Sequence, residues 1–189
     1  MTSSNFIRYT SWSAYLSAAA TLLQIVTGLL FVSIGGIFGP ITDVAGVLQA
    51  VSIIALALVL HLTLRSEAQG LSLTAVVIGI LSMLVFIVFQ LLLVVGALTY
   101  EQVTLIVITA GGGVGIWLLL VNYLALRGKV FPRGLVWLGL IAGAGFLVQM
   151  VSFWMWELES PLFYIGSSAA YFGYLFWAIW LGRLSRTWS

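Results

Sequence analysis

No cysteine occurs anywhere in the 189-residue chain. Disulfides, thiolate metal sites, iron–sulfur clusters and thiol nucleophiles are therefore excluded together. Histidine occurs once, at His61, so a bis-histidine haem is ruled out by counting, and a metal centre would have to be built almost wholly of oxygen ligands. Charge is scarce as well. Asp, Glu, Lys and Arg make up 6 % of the residues, against about 25 % in soluble domains, and a net charge of +2 leaves no footprint for nucleic acid. A zinc-protease helix, a serine or cysteine triad and a paired intramembrane carboxylate are all missing from the sequence. The expectation is a non-enzymatic protein with no catalytic residue and no metal ligand to assign.

What the chain has instead is hydrocarbon. Its hydrophobic fraction is 62 % and its mean hydropathy +1.20, more apolar surface than a soluble protein of this size can bury, which places it among integral membrane proteins. The apolar residues come in blocks close to the ~20 residues that cross a bilayer as a helix, not in the ~10-residue alternating segments of a membrane β-barrel. Six spans fit: Ser13 to Ile34, Asp43 to Leu64, Leu73 to Leu98, Val103 to Leu126, Leu135 to Trp156 and Leu162 to Leu181. The first is too long for an ordinary signal-peptide core and reads as a membrane span. "GGIFGPITD", "RSEAQGLS", "TYEQ", "RGKVFPRG" and "ELESP" are the connections. The expected architecture is all-α: one transmembrane domain over 1–189, a bundle of six helices.

The few charges test that count. Arg8, Arg65, Arg127, Lys129, Arg133, Arg183 and Arg186 fall on one side, with Glu67 as their only acid; Asp43, Glu101, Glu157 and Glu159 fall on the other, with no base. The positive-inside rule then predicts both termini in the cytoplasm. Asp43, Glu101 and Glu159 open the even helices at equal spacing, and Arg65, Arg127 and Arg183 close them. Acids suit a helix N-terminus and cations a C-terminus; Asp43 is placed to cap directly, and Ser160–Pro161 reads as an N-cap with proline at N1. The odd helices each carry one amide, Gln24, Gln90 and Gln149. The pattern predicts three tandem, parallel hairpins over about 13–64, 73–126 and 135–181.

An unpaired amide in hydrocarbon costs several kcal/mol. The three glutamines are expected to bond between helices, or else to form a polar axis in the outer half of the bundle that Gln49 and Ser152 join. His61 is expected near the basic interface, bonded to backbone, water or a headgroup, with single axial ligation of a tetrapyrrole as the other reading; Asn122 is a comparable polar residue near the same end of helix 4. Gly111 with Gly115, Gly139 with Gly143 and Gly166 with Ala170 have the small-xxx-small spacing that lets helix backbones approach. They predict close packing of the last three helices, with a homo-oligomer contact as the alternative. Aromatics crowd the last hairpin: Trp154, Trp156 and Tyr164 suit the outer interface, Trp177 and Trp180 the inner one, while a pocket for a flat lipophilic ligand is the other use of such rings.

The second half, "RGKVFPRGLVWLGLIAG" through "FWAIWLGRL", resembles a family of small bacterial membrane proteins, one of the domain-of-unknown-function families. A basic loop with Pro132 and Arg133 precedes a span opening with Trp137 and Gly139, and the last span ends in Trp177, Trp180 and Arg183. The early "FGPITD" is similar to that family's first external turn. The resemblance implies a six-span bundle in the bacterial inner membrane and supplies no activity. The function expected is an accessory subunit of a membrane assembly or a binder of a lipid, quinone or pigment, alternatively a small transporter or channel using the glutamine axis. Membrane lipid, a membrane-protein partner or a second copy are the expected contacts.

Overall fold

The computed structural model describes residues 3–156 and 160–186, with side chains from Arg8 onward. Six helices follow one another: α1 Ser3–Ile34, α2 Phe38–Leu64, α3 Gln69–Val94, α4 Tyr100–Arg127, α5 Arg133–Trp156 and α6 Pro161–Ser185. All six are long and apolar enough to cross a membrane, and the described residues contain no strand. Their outward faces are apolar too, with Leu81, Val88, Ile141 and Phe176 each more than half exposed, as a surface in contact with lipid requires.

Each helix packs on its neighbours in the chain, and α1 returns to close on α6, so the bundle is a ring in sequence order with α2 touching α4 across the middle. Consecutive helices run antiparallel. Arg65, Arg127, Lys129 and Arg133 therefore gather with Arg183 and Arg186 at one end, here the basic end, and Asp43 and Glu101 lie towards the other, the acid end. Glu157 and Glu159 lie outside the described residues.

The helix ends differ from expectation in instructive ways. Gly35 and Gly36 take positive φ of 75° and 67°, which only glycine adopts freely, and reverse the chain in three residues. Helix α2 thus starts at Phe38, with Pro40 in its first turn, where a missing N–H is tolerated. Ile37 occupies the N-cap with no side-chain bond, so Asp43 does not cap; it sits beyond the first turn, inside the helix. Helix α3 stops at Val94, four residues early. Gly96 is left-handed at φ 73°, and Gly96 N–H and Ala97 N–H donate to the Leu93 and Leu92 carbonyls at 3.0 and 2.9 Å, the pattern of a Schellman ending. The "TYEQ" turn is a capping box: Thr99 N–H donates to Gln102 Oε1 at 2.9 Å. At α6, Ser160 accepts from Leu162 N–H at 3.3 Å and Pro161 follows at N1, as the sequence predicts.

Glycines set the closest helix approaches. A β-carbon on Gly145 would meet the Ala170 nitrogen at 2.5 Å and the Gly166 carbonyl at 2.8 Å, and one on Gly115 the Gly143 carbonyl at 2.7 Å. Backbone touches backbone across α5–α6 and α4–α5. The glycine faces are thus occupied within the chain's own interfaces.

Candidate functional site

In the half of the bundle towards the basic end the interior is solid. Trp117, Trp177, Tyr174, Leu56, Leu60, Leu118, Leu124, Leu135 and Leu181 are fully buried there. The edge of one indole meets the face of the other, Trp117 and Trp177 having ring centres 6.1 Å apart at 87°. Polar groups in this half are matched. Asn122 accepts from Trp177 Nε1 at 3.1 Å and donates to the Leu118 carbonyl at 2.8 Å, and it fits because Gly139 facing it has no side chain. The Tyr174 and Ser17 hydroxyls lie 2.6 Å apart. His61 Nδ1 is 2.9 Å from the Ser72 hydroxyl, a partner on the next helix rather than a headgroup. Trp117 Nε1 is the one buried side-chain donor in this half without a partner among the described residues.

The seam between α1 and α6 shares this asymmetry. Towards the basic end it is zipped by Ser17 with Tyr174, by Ser11 Oγ donating to the Gly182 carbonyl at 3.0 Å, and by the Arg186 guanidinium 4.9 Å above the Tyr15 ring. Towards the acid end the two helices face each other across space. Gln24, Gly28 and Val32 on α1 and Phe163, Ser167 and Tyr171 on α6 recur at helical spacing along a vestibule of about 410 Å³, with Gln149 of α5 at its back and Thr42 and Tyr100 at its rim. This volume lies in the range of small-molecule sites. Gln149 and Tyr171 also line a second, inner cavity of about 50 Å³ that reaches Gln49 and, near mid-depth, Ile53 and Val114. It has room for water.

The sequence-singled amides therefore divide. Gln24 and Gln149 face the vestibule, and Gln49 and Gln149 the inner cavity. Gln49 is itself tied to α1, donating to Thr21 Oγ1 at 2.7 Å. Gln90 joins neither group. Its amide donates to the carboxylate of Asp43 across α2–α3, a pairing made possible because α2 starts early and carries Asp43 inward. Ser152 is buried on α5, nearly one turn nearer the acid end than Gln149. Asn122 and His61 belong to the packed half.

The polar atoms facing the vestibule are matched only in part: Ser167 Oγ donates to the Phe163 carbonyl at 2.7 Å and Thr42 Oγ1 to the Phe38 carbonyl at 2.8 Å. Among the described residues no protein group bonds the Gln149 carboxamide or the Tyr171 and Ser168 hydroxyls, and Gln24 Oε1 is buried without a partner. The Gln24 carboxamide has room where it lies because Gly46 has no side chain; a β-carbon there would strike it. No charged residue lines the space, and the described residues contain no cluster of metal-ligating side chains. Tyr171 is one of the last hairpin's aromatics, for which a ligand pocket was the alternative reading, while sequence reasoning missed Ser167 and Ser168 as wall residues. They stand in "IGSSAAYFG", where paired serines in an otherwise apolar span were the available signal. It also misplaced Trp177, which is fully buried rather than interfacial, because its N–H has Asn122 to donate to.

Comparison of the chain with family models, with curated proteins and with solved structures finds no match.

Proposed function

We propose that the protein is a non-enzymatic, multi-pass protein of the bacterial inner membrane that binds a lipophilic small molecule in the vestibule, entering from the bilayer between α1 and α6. One observation carries this reading: the α1–α6 seam is bonded shut in its basic half and stands open in its acid half, onto unmatched amides and hydroxyls. A space bounded by α1 and α6 suits a ligand arriving from lipid between them. The segregation of basic residues supports cytoplasmic termini, which would turn the vestibule towards the outer leaflet; the resemblance of the second half to small bacterial membrane proteins supports the location. We read the six helices as three hairpins in tandem.

Native mass spectrometry of gently solubilised protein tests the reading. The expected result is a small molecule retained by the native chain and lost from Gly28→Trp, whose indole would fill the vestibule. A native chain that carries nothing, and takes up nothing when lipids are returned, overturns it. Such spectra also test the companion role as an accessory subunit, which predicts a co-purifying membrane protein.

A transporter is the second reading, favoured by the inner cavity that continues from Gln149 to mid-depth. It predicts flux in proteoliposomes that Gln149→Leu abolishes without unfolding the protein, and it fails if no solute moves.

A further inference from the structure

We infer that the vestibule selects an uncharged amphiphile whose headgroup both donates and accepts hydrogen bonds, of the kind presented by the glycerol hydroxyl and ester carbonyls of a diacylglycerol, and rejects lipids with a charged headgroup. The inference rests on the ligand-binding reading above and names the chemistry of that same site.

The first support is what the lining offers. Carboxamides supply donors and acceptors together, and hydroxyls do the same. Gln149, Ser168 and Tyr171 present such groups with no protein partner among the described residues. Leaving these groups unmatched in a low-dielectric site is costly, about 1–3 kcal/mol for each buried one. A head carrying a hydroxyl and a carbonyl could meet the Gln149 carboxamide and the Tyr171 hydroxyl and satisfy both kinds at once.

The second support is what the lining withholds. None of its residues carries a charge. A phosphate drawn in from the headgroup region would lose its water with no guanidinium or ammonium to replace it, and buried unpaired charge is the most heavily penalised state in a membrane. The nearest ionisable groups along the chain are acids, Asp43 beside Thr42 and Glu101 beside Tyr100, and they would repel an anion further. A cationic head would feel their attraction, but it too would lose its water with no anionic partner in the lining, and that desolvation is the larger effect. The third support is the wall itself. Ile25, Leu29, Phe163 and Phe172 line the same space, Leu29 and Phe172 with exposed side chains, so chains could lie along the seam while the head turns inward.

The test uses the full chain, delipidated and then exchanged against mixed micelles carrying dioleoylglycerol, dioleoyl phosphatidic acid or oleylamine, with retention read by native mass spectrometry. Dioleoylglycerol is expected to remain bound, and each charged probe to be retained about tenfold less. Ser168→Ala, a change on an exposed wall that cannot disturb the core, is expected to weaken dioleoylglycerol retention a few-fold, and Gln149→Leu about tenfold. If phosphatidic acid or oleylamine is held as well as dioleoylglycerol, the headgroup inference is overturned while the vestibule remains a binding site. If dioleoylglycerol retention is unchanged by both substitutions, the inference also falls. If none of the three probes is retained, the ligand-binding reading falls with it.

Discussion

The two halves of this bundle are built from the same six helices and the same residue types, yet one is solid and the other hollow. Towards the basic end, the interior is filled by indoles, a phenol and leucines, and nearly every buried polar atom has a partner. Towards the acid end, the space between α1 and α6 is lined in part by amides and hydroxyls, those of Gln149, Ser168 and Tyr171, that no described protein group matches. The difference lies in side-chain volume and in polar pairing. In a bilayer, packing and hydrogen bonds hold helices together without help from water exclusion. The solid half can therefore supply the stability that leaves the hollow half free to be incomplete.

The largest effect expected from this contrast is at Trp177. Trp177→Ala would remove a fully buried indole and leave Asn122 Oδ1 without its donor, at a cost of about 4 kcal/mol. Tyr171→Ala, an aromatic truncation in the hollow half where the ring already borders a cavity, should cost less than about 1 kcal/mol. Equal losses, measured by unfolding in detergent, would erase the distinction between the halves. Gly145→Val comes next, because its β-carbon would meet α6 backbone that has no rotamer to change; about 3 kcal/mol is expected. Gln90→Leu should cost about 1 kcal/mol, the usual worth of an interhelical polar contact, and should leave ligand retention intact, since Gln90 lies outside the vestibule. If Gln90→Leu abolishes retention, the separation of the amides is wrong. One change is expected to give a gain. Lys129 holds a left-handed φ of 53°, and Lys129→Gly should stabilise the α4–α5 turn by about 1 kcal/mol, seen as a raised unfolding midpoint.

Six spans, their order and the Ser160–Pro161 cap were legible in the sequence because they depend on length, hydropathy and local turn chemistry. The start of α2 was not, because the acid at position 43 drew attention away from Gly35 and Gly36, whose positive φ completes the reversal earlier. The "TYEQ" turn carried a readable capping box in Thr99 and Gln102. The grouping of the glutamines was only half legible. Helices that are apolar all round show no amphipathic stripe from which to read the facing direction, so Gln90 and Gln149 look equivalent in sequence. In space one meets a carboxylate and the other a cavity. The burial of Trp177 was hidden for the same reason, as was the gap between α1 and α6, helices that lie at opposite ends of the chain.

That last pairing has a consequence for biogenesis. Nearly every interface in the ring joins helices adjacent in the chain, and the α1–α6 seam alone spans almost its whole length. Local contacts form early, and a contact that must close a long loop waits. During synthesis the first five helices can settle against one another as they emerge, but α1 keeps a bare edge towards lipid until the sixth leaves the ribosome. The last joint to be made is also the one that stays partly unsealed in the finished molecule.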